Sequence, residues 1–115
     1  MSTFSGFFAP VANPPTVNVA KAGRAIPVKF SLGGNRGLAI FAAGYPRVVT
    51  IACGSGTTTD EIETTVTADG NGLQYDPASG QYTYTWKTQK SWTGCRRLEL
   101  LFVDGSLRAA DFKFK

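Results

Sequence analysis

The chain has 115 residues, 43% of them hydrophobic, with 12 lysines and arginines, 8 acidic residues and no histidine. This length fits one domain with a single core, and the apolar fraction excludes a wholly disordered chain. Without histidine the chain cannot build a Ser–His or Cys–His catalytic machine, and we expect it not to be an enzyme.

The net charge of +4 predicts a mildly basic surface. The basic residues are spread from Lys21 to Lys115, and the densest group is the pair Arg96–Arg97. Nucleic-acid-binding proteins concentrate such charges on one face. We therefore expect no nucleic-acid partner, and an anion-binding patch is left open as the alternative.

The first third of the chain predicts strands. Short apolar runs alternate with polar residues and are separated by Gly, Pro and Asn. The proline-broken segment "GFFAPVANPPTVNV" predicts an edge piece leading into a strand near residues 16–20. "AIPVKFSL" predicts a strand over residues 25–32, in which Lys29 faces away from the core because side chains alternate between the faces. The inward side chains are Ile26, Val28, Phe30 and Leu32.

The middle of the chain predicts three shorter strands. Residues 38–41 and 47–53 are apolar runs joined by a Gly-Tyr-Pro turn. Residues 54–61 are polar and predict a loop, followed by a half-exposed strand over residues 62–68 and a turn over residues 69–72.

The last third predicts two hairpins. "LQYDPASGQYTYTWKT" turns at Asp76-Pro77 and places Tyr82, Tyr84 and Trp86 on one face. Asp104-Gly105 is a two-residue hairpin signal between "CRRLELLFV" and "SLRAADFKF". The inward residues of this second hairpin are Leu98, Leu100, Phe102, Ala110, Phe112 and Phe114.

About eight antiparallel strands separated by polar turns predict an all-β fold, an immunoglobulin-like antiparallel β-sandwich. We expect one domain over residues 1–115, with residues 1–5 as a linker or an addition to the natural chain.

The two cysteines, Cys53 and Cys95, predict one disulfide that clamps the two layers. Structural zinc normally takes four ligands, which two thiols without histidine cannot supply, and the Cys-x-x-Cys spacing of redox enzymes is absent. A disulfide requires an oxidising compartment, so we expect a secreted or cell-surface protein.

No signal peptide and no membrane span are visible in the sequence. A secreted type of domain without its own signal suggests a fragment of a larger exported protein. Its expected partners are the other domains of that protein, and we expect the isolated domain to be monomeric.

Two acidic segments are weak candidates for chemistry. Asp60, Glu61 and Glu63 lie in a Thr-rich region with nothing apolar nearby to raise a carboxyl pKa. "DGNGLQYD" resembles a calcium loop, but its third and fifth positions and its twelfth, Gly80, lack the required acids. We expect no metal and no cofactor.

Two binding hypotheses stay open. Tyr45 and Trp92 could stack on sugar rings, and Arg96 and Arg97 could bind an anionic polymer of the cell wall. The alternative is that Trp92 packs beside the cystine.

A covalent hypothesis concerns Lys29. An intramolecular isopeptide bond needs a buried lysine beside an acidic partner, and Asp111 and Glu99 on the last strands are the candidates. The alternative is that Lys29 lies on the solvent face and protects an edge strand from unwanted pairing.

A series of motifs runs along nearly the whole chain, from residue 6 to residue 114. They are "GFFAPVANPPTVNVAKAGRAIPVKFSLGG", "GLAIFAAGYP", "YTYTWKT", "SWTGCRRL" and "DFKF". Together they resemble the bacterial PxKF domain, whose name corresponds here to Pro27, Lys29 and Phe30. The resemblance implies a non-catalytic accessory module of secreted and cell-surface bacterial proteins, which spaces or attaches their other domains. A carbohydrate- or wall-polymer-binding module and a self-crosslinked adhesin stalk are the alternatives.

Overall fold

The computed structural model describes residues 4–54, 58–62, 64–68 and 70–115, and all regular structure in these ranges is β-strand. The strands are β1 (Ser5–Phe8), β2 (Val17–Ala20), β3 (Ala25–Ser31), β4 (Arg47–Ile51), β5 (Thr59–Glu61), β6 (Gly72–Asp76), β7 (Gln81–Lys87), β8 (Gly94–Leu101) and β9 (Leu107–Phe114).

The strands form two sheets, a four-stranded sheet in the order β1-β3-β7-β6 and a five-stranded sheet in the order β4-β8-β9-β2-β5. The first sheet has the immunoglobulin order ABED, and β4, β8 and β9 occupy the positions of C, F and G in the second. The predicted immunoglobulin-like sandwich is therefore confirmed. The expectation of purely antiparallel pairing is wrong for β2, which runs parallel to both β9 and β5.

The core lies between the two sheets and is rich in aromatic rings. Phe30 stacks on Tyr82 at 5.6 Å between ring centroids and meets Phe102 at 5.7 Å. Trp86 meets Phe112 edge-on at 4.8 Å. Phe30 and Tyr82 are neighbours within the four-stranded sheet. The Trp86–Phe112 contact joins the inner faces of the two sheets, and the Phe30–Phe102 contact reaches the residue after β8, as period-two alternation requires. All the predicted inward side chains of β3 and of the last two hairpins are buried.

β3 is the best predicted strand. Lys29 is half-buried and alternates with fully buried Val28 and Phe30, as expected. Pro27 fits because β1 reaches only as far as Lys29 along β3. Among the described residues, no strand pairs with this edge of β3 at Pro27, so the missing N–H group removes no ladder hydrogen bond there.

The second hairpin is confirmed, but its loop is longer than predicted. The Phe102 N–H donates to the Ser106 carbonyl and the Gly105 N–H to the Phe102 carbonyl, each at 2.9 Å, so three residues form the loop. The Ser106 hydroxyl and N–H donate to the Asp104 carboxylate at 2.6 and 2.9 Å, and these hydrogen bonds lower the pKa of Asp104. This side-chain contact favours the longer turn.

Three predictions for the middle of the chain are wrong. Residues 38–41 make only an isolated bridge, from Phe41 to Phe102. The loop predicted over residues 54–61 contains the exposed strand β5. Apolar alternation does not predict this strand, because it forms by pairing with β2 at the sheet edge. Residues 62–68 give one bridge, from Val66 to Ala25, and residues 63 and 69 lie outside the described residues.

The domain also begins earlier than expected. Ser5 starts β1, and the Phe4 ring stacks on Phe30 at 5.8 Å. Phe4 and Ser5 therefore belong to the packed domain, and residues 1–3 lie outside the described residues. Among the described residues, no helix is long and apolar enough to cross a membrane.

Candidate functional site

The cystine is formed as predicted. Cys53 and Cys95 are bonded with their Cα atoms 5.3 Å apart, closing a sequence separation of 42 residues. The expectation that it clamps the two layers is wrong. Cys95 lies in β8 opposite Ile51 of β4, so the bond fastens the segment after β4 to a strand of the same sheet. Alternation with the inward Leu98 places Cys95 on the outer face of that sheet.

Trp92 belongs to an aromatic cluster at one end of the core. Its ring lies 5.8 Å from that of Trp86 and 5.4 Å from that of Phe114. The Arg96 guanidinium lies over the Trp92 ring, 4.6 Å from its centroid. The ring is therefore occupied by the protein's own side chains, which is the packing arrangement rather than an open stacking platform.

Arg96 and Arg97 are neighbours in sequence but point to opposite faces of β8. Arg96 shares the inward side with Leu98, and it donates from Nη1 to the Thr50 hydroxyl at 3.2 Å. Its buried Nε atom has no hydrogen-bond partner among the described residues. Arg97 faces outward and donates to both carboxylate oxygens of Asp111, at 2.8 and 3.3 Å. That hydrogen bonding and charge raise the pKa of Arg97, and the two arginines form no common patch.

Tyr45 lies far from Trp92. The Arg47 guanidinium covers the Tyr45 ring at 5.0 Å and pairs with Glu99 at 2.6 Å, a hydrogen bond that raises the pKa of Arg47. Arg47 pairs with Glu99 at one end of the β4–β8 ladder and Ile51 with Cys95 at the other, about 13 Å apart at 3.3 Å per residue. Trp92 lies beyond the Cys95 end, so the two aromatic candidates are not brought together.

The predicted isopeptide partners are also separated. Lys29 lies on the outer side of the four-stranded sheet, whereas Glu99 and Asp111 lie on the outer face of the five-stranded sheet. The two carboxylates pair with Arg47 and Arg97 instead. The same period-two alternation that turns Lys29 out of the core turns the two acids out on the opposite side.

Lys29 instead borders a hollow of about 260 Å³ that is also lined by Asp60 and Glu61. No ion pair within 4.0 Å joins Lys29 to a described carboxylate, and Glu61 pairs with Lys115. Among the described residues no group of three or more metal-ligating side chains is present. Glu63 lies outside the described residues.

The calcium-like segment is mostly strand β6 (Gly72–Asp76), and its last residue, Asp76, begins the turn into β7. The Asp76 carboxylate accepts hydrogen bonds from the Ala78 N–H and the Ser79 hydroxyl, each at 3.0 Å. These bonds use the carboxylate to close the β6–β7 hairpin. Asp69, at the other end of the segment, lies outside the described residues.

A groove that sequence reasoning missed crosses the outer face of the five-stranded sheet. It encloses about 420 Å³, a size within the range of small-molecule sites. Val17, Ile51 and the cystine supply an apolar floor, and the Arg97–Asp111 ion pair forms a polar edge. The signal in the sequence is weak, because single outward apolar residues on three different strands (β2, β4 and β8) meet only after folding.

No family model, curated protein or solved structure matches the chain. The resemblance to the PxKF domain therefore stays a prediction from the sequence.

Proposed function

We propose that this domain is a non-catalytic accessory module that works outside the cytoplasm and spaces or attaches the other domains of a larger exported bacterial protein. The observation that carries the proposal is the cystine joining Cys53 to Cys95 in an all-β sandwich. Such bonds persist in oxidising compartments and are rare in the cytosol.

The placement of the acidic side chains supports a role without catalysis. Glu99, Asp111 and Glu61 each pair with a cation. A general acid or base needs a pKa tuned by burial or by a like charge, and it needs access to a substrate. The chain also contains no histidine.

The placement of the aromatic rings supports spacing or attachment over recognition of a neutral sugar. A sugar-stacking module presents an open ring, whereas Arg96, Trp86 and Phe114 pack against Trp92. Arg47 covers Tyr45 in the same way. We therefore expect no retention on cellulose or chitin, and no effect of Trp92→Ala on such retention.

An activity screen tests the non-catalytic role. The isolated domain is assayed on chromogenic ester, peptide, glycoside and phosphoester substrates, and we expect background rates throughout. Turnover above background that Asp111→Asn or Glu99→Gln abolishes, while the unfolding temperature changes little, would overturn the proposal.

A further inference from the structure

Four basic side chains gather around one hollow that the sequence does not reveal. The hollow encloses about 240 Å³ at the end of the sandwich where β7 finishes and β3 begins. Lys21 and Arg24 lie on the turn before β3, Lys87 ends β7, and Lys90 follows it. Val66 and Thr67 form the remaining wall, and none of the described lining residues is acidic.

The turn that carries Lys21 and Arg24 is held firmly in place. The Gly23 N–H donates to the Thr88 hydroxyl at 3.0 Å, and that hydroxyl donates to the Arg24 carbonyl at 2.5 Å. Thr88 is buried, and its N–H group also donates to the Arg24 carbonyl, at 3.1 Å. The backbone beneath the charges is therefore ordered before any ligand arrives, which reduces the entropic cost of binding.

Lys87 and Lys90 both contact the turn that precedes β3. The Lys87 ammonium donates to the Gly23 carbonyl at 2.7 Å. Gly23 has a φ of +91°, and a Cβ atom added there would lie 2.8 Å from Cγ of Lys90. Glycine at this position lets the Lys90 stem lie against the turn. The two lysines are thereby kept beside Lys21 and Arg24.

The charge of this hollow is unbalanced by described neighbours. Elsewhere on the surface, Arg47, Arg97 and Lys115 each pair with a carboxylate. No ion pair within 4.0 Å joins any of the four cations of the hollow to a described carboxylate. Like charges kept close together without a counter-ion raise the local concentration of anions.

We propose that this hollow binds a linear anionic polymer through phosphate or carboxylate groups repeated along its chain. The hollow is smaller than the usual 300–1,000 Å³ of a drug-like site, and Lys21, Arg24 and Lys90 are exposed. A single small anion would therefore bind weakly, whereas repeated anionic groups gain from multivalency. This proposal rests on the proposed attachment role, because it gives the chemical class of the polymer to which the module attaches.

The test is a binding titration with defined polymers. Fluorescently labelled polyphosphate and polygalacturonate supply the phosphate and carboxylate sources, and neutral dextran is the negative control. We expect the domain to bind at least one polyanion and not dextran. The affinity should fall as salt is added. In a plot of log K against log salt concentration, each cation that contacts the polymer should contribute about −0.7 to the slope, as for single-stranded polyanions.

Two double variants with the same loss of charge locate the site. Lys21→Gln/Lys90→Gln should weaken binding roughly tenfold at low salt, the sum of two exposed ion-pair contributions. Arg108→Gln/Lys113→Gln removes two exposed cations elsewhere, one of them in the groove beside the cystine, and should change binding less than twofold. All four residues are exposed, and unfolding curves verify that both variants fold.

Equal weakening by the two double variants would show that net charge alone drives binding, and it would overturn the proposal. Absence of binding to both polyanions would overturn it as well. Either result leaves the non-catalytic spacer role untouched, because that role is tested by the activity screen. Conversely, turnover in the activity screen would overturn the non-catalytic role, and the polymer titration would still test the basic hollow.

Discussion

Tyr82 and Tyr84 point from β7 into the same core, but only Tyr82 uses its hydroxyl group within the described part of the chain. That hydroxyl donates to the Gly37 carbonyl at 2.8 Å and accepts from the Arg36 N–H at 2.6 Å, pinning the segment between β3 and β4. Burial raises the pKa of the Tyr84 hydroxyl, which has no hydrogen-bond partner among the described residues.

Removing one oxygen atom from each tyrosine therefore has different consequences. Tyr82→Phe should lower the free energy of unfolding by about 1–2 kcal/mol, because two backbone groups lose their partner. Tyr84→Phe should change it by less than about 0.5 kcal/mol, as expected where no hydrogen bond is lost. Urea unfolding with the cystine intact measures both values, and equal losses would contradict the assigned hydrogen bonds.

At the same scale, the sequence predicts which side of a strand a residue takes but not what it meets there. Alternation correctly places Lys29 on the face of β3 opposite that of Val28 and Phe30. The same rule separates Arg96 from Arg97, although adjacent arginines suggest a single patch in the sequence. The arginine partners Trp92, Thr50 and Asp111 come from other elements and depend on strand register, which side-chain chemistry alone does not reveal.

At the scale of elements, β1 depends on a close approach to β3. A Cβ atom added to Gly6 would lie 3.1 Å from both Cα and Cβ of Phe30, and Gly6 has a φ of +141°. Gly44 has a φ of +83°, but no heavy atom of a described residue lies within 4 Å of such a Cβ atom. Replacing either glycine by alanine strains the backbone, but only at Gly6 does the new side chain also crowd a neighbour. Comparing the two variants therefore measures the cost of crowding.

We expect Gly6→Ala to destabilise the domain by about 1–3 kcal/mol more than Gly44→Ala, the usual cost of overpacking. Thermal and urea unfolding of both variants measure the difference, and hydrogen exchange in β3 should increase only in Gly6→Ala. A larger loss in Gly44→Ala would contradict the contact between β1 and β3.

Strands were predictable where apolar alternation is long. β3, β7, β8 and β9 are each 7 or 8 residues long, and in each strand the predicted inward face is buried. β5 has 3 exposed residues and exists because it pairs with β2 at the sheet edge. Such a strand leaves no hydrophobic period in the sequence, so only tertiary pairing specifies it.

For the whole molecule, the fold class could be predicted from the sequence, but the surface features could not. The basic residues look dispersed in the sequence, yet the turn before β3 and the end of β7 bring Lys21, Arg24, Lys87 and Lys90 to one hollow. The antiparallel pairing of β3 with β7 causes this, since it places Ala25 opposite Lys87. A long-range pairing of this kind is outside the reach of composition or spacing.

The most direct measurement of the central claim is thiol accessibility in the protein exported by a bacterial host. The denatured, unreduced protein is treated with a maleimide reagent, and Cys53→Ser serves as the control that leaves one thiol. We predict no labelling before reduction and two labels after it, because Cys53 and Cys95 are bonded. Labelling of both thiols without reduction would contradict the disulfide and, with it, a module adapted to the outside of the cell.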